Sequence, residues 1–156
     1  MSDISNLSKQ LMQDFPYTFI EGEDFKWSPH NNAIVHPPLS SLQHIWSLLH
    51  EIAHAELHHT TFDLDIHLIG LETTAWQWAV EHLAPLYNIL IDNDYIQDHL
   101  DTYRLWLHQR SVCPRCGQNG LQTQTKIYSC LNCKFLWRAN EARLCSLRRT
   151  KLGQQS

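Results

Sequence analysis

The sequence predicts an α+β chain: a short antiparallel strand layer on a helical core over residues 1–110, then a small cysteine-built module over 111–156. Three observations carry this. Apolar residues recur at helical spacing in several segments, short β-rich runs bounded by turn residues lie between 17 and 36, and two Cys-x-x-Cys pairs follow Ser111. The 156 residues have room for one compact domain and a small appendage.

Ile4, Leu7, Leu11 and Met12 give a short amphipathic helix over 4–14. Residues 17–20 and 25–27 read as short strands interrupted by Gly22, and Ala33–His36 reads as the returning strand of a hairpin after the turn-rich Ser28–Asn32. Pro37 and Pro38 stop that strand, and Ser40 or Ser41 caps a helix running to about His59. A second helix fits about 68–88. A third fits about 94–109, capped by Asp92 or Asp94, with Ile96, Leu100, Tyr103 and Leu107 on one face. Beyond Ser111 the stretch 121–128 alternates like a strand, 135–137 pairs back, and the basic tail from Arg138 to Lys151 is expected to be helical.

Charge is divided sharply. Residues 1–103 carry fifteen acidic side chains against Lys9 and Lys26, a sum of −13; residues 104–156 carry ten basic ones against Glu141 alone, a sum of +9, which together return −4. Such a split points to two surfaces with different partners. No basic segment followed by an apolar core opens the chain, and no apolar run approaches the ~18 residues of a membrane span. Paired cysteines without a secretion signal favour metal binding in a reducing compartment, so a cytoplasmic protein without membrane contact is expected.

The densest chemistry is His50-Glu51-Ile52-Ala53-His54. Histidines four apart project from one helix face and can share an ion, while Glu51 beside them can hold and deprotonate water. Leu42, Ile45, Leu49, Ile52 and Ala53 supply the apolar stripe whose edge carries both histidines. A catalytic-type zinc needs a third protein ligand and an open position. His58 is eight residues beyond His50, about 12 Å along the axis at 1.5 Å per residue, so the two cannot share an ion. Glu72 aligns with Ala75, Trp76, Ala79 and Leu83 on a face that should be buried, where a lone carboxylate requires a partner such as a metal. Asp63, Asp65 and Glu81 are the other candidates. Trp76 and Trp78 read as core, and Glu56 as either a partner of a ligand histidine or a solvated residue.

These residues resemble the ImmA/IrrE-type zinc peptidases over about 15–88: a short strand pair, Leu49–His54, then Glu72-Thr-Thr-Ala75-Trp-Gln-Trp-Ala79. In that family the second segment reads roughly Glu-x-x-Ala-Asn-x-Phe-Ala. The resemblance implies a zincin-like domain with His50, His54 and Glu72 as zinc ligands and Glu51 as general base. It also implies an intracellular peptidase acting on a specific regulatory protein; characterised relatives cut helix-turn-helix repressors or act with them. Trp76 stands where the family often has Asn, and Glu81–Pro85 replaces its usual Leu-Leu-Met-Pro ending. On this reading the strand 33–36 is a candidate to pair with an extended substrate, and His67, His82, Tyr87 and Tyr95 are candidate oxyanion donors.

Cys113, Cys116, Cys130 and Cys133 form two knuckles thirteen residues apart, the pattern of a structural zinc ribbon with four thiolates and no open position. About two zinc ions per chain are therefore expected. Gly117 follows the first knuckle, whereas Lys134 stands where a second glycine is common; Cys145 is left over as an apolar contact. Arg110, Arg115, Lys126, Lys134, Arg138, Arg143, Arg148, Arg149 and Lys151, with Tyr128 and Trp137 among them, make the ribbon a candidate surface for nucleic acid. Two other functions fit the same residues: a DNA-associated protease similar to the SprT-like group, which joins a His-Glu-x-x-His domain to a zinc ribbon but uses a third histidine, and a non-catalytic module with two structural zincs.

Overall fold

The computed structural model describes residues 3–141 and 147–152. The class is α+β, with two small sheets. The chain divides into two compact units, one made of residues 1–60 and 71–96, the other of 61–70 and 97–156.

In the first unit α1 (Ile4–Asp14) starts where the Asp3 carboxylate accepts the Ser5 N–H at 3.2 Å, and buries Leu7 and Leu11. Strands β1 (Thr18–Glu21), β2 (Lys26–Ser28) and β3 (Ala33–His36) form a sheet in the order β1-β3-β2. The hairpin β2–β3 is antiparallel, as the turn residues suggested, but β1 joins β3 in parallel, so the layer is mixed rather than antiparallel. Strand β3 is thereby the middle strand with both edges paired. It cannot take an extended substrate by strand addition, contrary to the expectation for 33–36. Gly22 follows β1 where any Cβ would lie 2.5 Å from Val35 Cγ1, which explains the residue type.

Helix α2 (Leu42–Glu56) begins at Ser41, whose hydroxyl accepts the His44 N–H at 3.2 Å. It packs against α1, β2, β3 and the segment 79–83, and almost every side chain from Ile45 to Ala55 is buried. Ile45, Leu48, Leu49 and Ile52 are fully covered, each burial stabilising by about 1.5–3 kcal/mol. This helix is the centre of the unit, and polar groups on it must find partners inside.

Helix α3 (Asp65–Trp78) starts three residues before the expected 68 and stops ten residues before 88. A π-helical turn (Ala79–Leu83) and a 3-10 turn (Ala84–Tyr87) complete the segment, and Pro85, which has no N–H to donate, sits in the latter. Helix α4 (Asn93–Ser111) is led in by Asp92, whose carboxylate accepts the Asp94 N–H at 2.9 Å. Among the described residues no helix is long and apolar enough to cross a membrane.

The second unit carries the antiparallel sheet β4-β5-β6-β7, from β4 (Gly120–Gln124), β5 (Ile127–Cys130), β6 (Leu136–Ala139) and β7 (Arg149–Lys151). The stretch read as one strand over 121–128 is two, joined by a turn in which Lys126 takes φ 64°. The basic tail read as helix is strand at 138–139 and 149–151; Arg143 and Cys145 lie outside the described residues. Tyr128 and Trp137 stack at 5.5 Å between centroids in the small core. Gly120 lies against that core, where a Cβ would run into the Trp137 ring.

Candidate metal centres

Because α2 is buried nearly all round, both histidines of its His-Glu-x-x-His segment are buried, as is Glu72 in the middle of α3. The three side chains meet. His50 Nε2 lies 2.8 Å from Glu72 Oε2 and 3.1 Å from His54 Nε2, and His54 Nε2 lies 3.2 Å from Glu72 Oε1. These nitrogen and oxygen donors converge closely enough to hold a metal ion. The alternatives for the third donor fall elsewhere: Asp63 and Glu81 are exposed, and Asp65 is buried against Arg110 at 2.8 Å.

Glu51 is only half-buried and stands beside the cluster rather than in it. Its Oε2 accepts the backbone N–H of Trp27, on edge strand β2, at 2.7 Å, and its Oε1 carries no hydrogen bond among the described residues. The His50 ring stacks on Trp76 at 4.1 Å, so Trp76 is both core and a wall of the cluster. His50 Nδ1 is buried with no hydrogen-bond partner among the described residues. His54 Nδ1 instead faces His59 Nδ1 at 2.8 Å.

Electrostatics tie the three donors together. Burial would raise the Glu72 carboxyl, but hydrogen bonds from His50 and His54 and their charges hold it far below the usual carboxylate range. Burial opposes the charged form of His54, yet the Glu72 hydrogen bond and charge, with Glu51 adding to them, raise it. Burial, and then the neighbouring His54, lower His59.

The second candidate centre is built from loops. Cys113 and Cys130 are buried, Cys116 and Cys133 half-buried, and no disulfide joins them. Cys113 Sγ lies 3.7 Å from Cys133 Sγ, Cys116 Sγ lies 3.4 Å from Cys130 Sγ, and the four sulfurs can together hold a metal ion. Backbone N–H groups of Asn132 and Cys133 both point at Cys130 Sγ at 3.4 Å, and that of Arg115 points at Cys113 Sγ at 3.4 Å. Such donors favour thiolates. The Gln118 backbone and the Asn132 amide bring Cys116 down to about 6. The knuckles are near-copies: Gly117 N–H bonds to Cys113 O and Lys134 N–H to Cys130 O, with φ 78° and 63°.

Other expectations fare differently. Glu56 bonds no ligand histidine; it accepts from the Tyr17 hydroxyl, which burial and Glu56 push up to about 12. His58 is exposed. The Tyr95 hydroxyl meets Ser47 at 2.8 Å and that of Tyr87 donates to Asp14 at 2.8 Å; His82 is exposed beside Trp78, and exposed His67 belongs to the other unit.

Among the basic residues read as a nucleic-acid surface, Arg110, at the end of α4, is not a surface cation: it is buried, held by Asp65 and the Asn140 carbonyl, with Trp106 beneath its guanidinium. Lys126 pairs with Glu141, and Arg149 donates to the Val112 carbonyl. Tyr128 and Trp137 are buried, so neither presents a face for stacking on a base. Arg115, Lys134, Arg138, Arg148 and Lys151 remain exposed.

Sequence reasoning missed Trp27 and His59, the partners of Glu51 and His54. Neither lies at a helical spacing from the residue it serves, which is the only signal the motif offers. No family model matches the chain, and neither the curated proteins nor the solved structures include a match.

Proposed function

We propose that the chain is a zinc-dependent peptidase of the ImmA/IrrE type in which His50, His54 and Glu72 hold the ion and Glu51 is the general base. The observation that carries this is the meeting of three buried donors with a fourth, half-exposed carboxylate beside them but not among them. A tetrahedral zinc with ligands at about 2.0–2.1 Å has donor–donor edges of about 3.3 Å, close to the spacings of 2.8, 3.1 and 3.2 Å. The four sulfurs suit a second, structural zinc, whose thiolate edges at about 2.3 Å per bond would be about 3.8 Å.

Zinc in a site with three protein ligands supplies a Lewis acid for a peptide carbonyl and makes water acidic enough to be deprotonated near neutral pH. The protein's own part follows from the side chains. Trp27 fixes one carboxylate oxygen of Glu51, leaving Oε1 to take a proton from the attacking water and deliver it to the departing amine. Trp76 braces His50, and the surrounding α2 core keeps the ligand rings from swinging out to solvent. The resemblance to the ImmA/IrrE group makes a helix-turn-helix repressor the substrate to test first. The SprT-like alternative needs a third histidine ligand, and the buried carboxylate of Glu72 weighs against it.

The test is hydrolysis of candidate repressors and of a peptide library by the full, zinc-loaded chain. Glu51→Gln keeps size and hydrogen bonding but cannot accept the proton, so cleavage should fall by ~10²-fold or more. A Glu51→Gln chain that cleaves a verified substrate as fast as wild type would refute the mechanism.

A further inference from the structure

Helix α2 ends in a Schellman cap, and that cap carries an extra histidine to the metal ligands. Leu57 closes the helix and His58 takes the left-handed conformation at φ 55°. His58 N–H bonds to Ala55 O and His59 N–H to His54 O, both at 3.0 Å, the two bonds that define the motif. In this geometry the residue after the left-handed one folds back over the helix position five before it, where an apolar contact often forms. Here both residues are histidines, and their Nδ1 atoms are 2.8 Å apart.

Two ring nitrogens at that distance require one donor and one acceptor. The other nitrogen of His54 already faces His50 and Glu72, at 3.1 and 3.2 Å. A nitrogen that ligates an ion carries no proton, so neutral His54 must carry its proton on Nδ1. The bond then runs from His54 Nδ1–H to a bare His59 Nδ1, with the His59 proton on Nε2.

His59 is held in place independently. The Trp27 indole N–H donates to His59 O at 3.0 Å, while the backbone N–H of the same Trp27 holds Glu51. A single edge-strand residue thereby braces the partner of a ligand and the proposed base together.

We infer that His59 is a positioning residue: its Nδ1 accepts the His54 Nδ1–H bond and so fixes the tautomer and ring plane in which His54 Nε2 ligates an ion. This rests on His50, His54 and Glu72 being the ligand set. Partners of this kind commonly change metal affinity 10–100-fold when removed.

The experiment titrates the full chain with cobalt(II) and follows visible absorption, in which thiolate charge-transfer bands separate the four-cysteine site from a histidine–carboxylate site. His59→Ala should weaken the histidine–carboxylate site by ~10–100-fold and leave the thiolate bands unmoved. His59→Asn, whose Oδ1 takes the place of Nδ1, should recover most of the loss. In the zinc-loaded wild type, nitrogen NMR should find His54 protonated on Nδ1 and His59 on Nε2, a readout independent of any variant's folding. Unchanged affinity in His59→Ala, where Glu72→Ala abolishes the site, would overturn the role of His59; so would a metal-loaded His54 protonated on Nε2. Glu72→Ala binding cobalt as wild type does would instead overturn the ligand set, and the inference with it.

Discussion

The four-cysteine cluster and the His50–His54–Glu72 cluster both converge donors on one point, with very different amounts of protein behind them. Each cysteine knuckle is a tight turn of a few residues, and the core beside it is small: among the described residues Tyr128, Trp137 and Ala139 are its buried members besides two of the cysteines. The other cluster hangs on a helix whose own Ile45, Leu48, Leu49 and Ile52 pack in one core with Leu7, Leu11 and Ile34, while Trp76 stacks on His50 and Trp27 holds Glu51 beside the cluster. On the proposed reading, an ion at the first would hold the protein together, whereas at the second the protein would hold the ion. That difference in support is what the proposal of one structural and one catalytic-type centre rests on.

The largest effect that can break this comparison is metal removal. Structural zinc sites of this kind bind with apparent free energies of about 10–16 kcal/mol, and that binding is folding energy. Chelation, or Cys130→Ala, should therefore expose the amides of β4–β7 to exchange while those of α2 stay protected. Hydrogen exchange followed by mass spectrometry checks it; equal protection of β4–β7 with and without the ion would remove the distinction.

A smaller effect compares the two knuckles with each other. Lys134 holds a left-handed conformation that Gly117 adopts freely in the other knuckle, at a cost of about 1–2 kcal/mol for a residue with a Cβ. Lys134→Gly should raise the melting temperature of the metal-loaded ribbon, and Gly117→Ala should lower it by a similar amount. If both changes destabilise, the Lys134 side chain, which bonds the Leu131 carbonyl at 3.1 Å, does more than the strain costs.

The smallest effect concerns the helix that carries the histidines. Tyr17 ties its hydroxyl to Glu56 in the last turn of α2, and its ionisation moves from 10.0 up to about 12. A raised value means the bond contributes fully below pH ~10 and is lost as pH climbs towards ~12. Tyr17→Phe should cost about 1 kcal/mol or less at neutral pH, and the gap from wild type should close above pH ~12. Denaturant unfolding across pH checks the sign: a gap that widened with pH would contradict it.

How far the sequence could be read depended on whether the determinants were local. The Ser41 cap, the histidine pair on α2 and the cysteine knuckles are set by residues within a turn of each other, and each was legible. Glu72 was legible because the period of α3 places it with Ala75 and Trp76, both buried. The parallel pairing of β1 with β3 was not, since four-residue strands carry no mark of their partner's direction. Arg110 looked like a surface cation because composition records charge without burial, and only the pairing with Asp65 places it inside. Lys126 and His58 hid two turns, because neither is the glycine or asparagine that normally marks a positive φ. With His58 went the cap, and with the cap went the reach of His59 to His54.

The most direct measurement is metal content per chain, by elemental analysis of the reduced, unchelated protein, for wild type and three variants. Two centres of different kinds predict about two zinc ions in wild type and in Glu51→Gln, which lacks no ligand. They predict about one in Glu72→Ala, with β4–β7 still folded, and about one in Cys130→Ala, with α2 still folded. A wild type holding a single ion, or a Glu72→Ala chain that keeps both, would contradict the account.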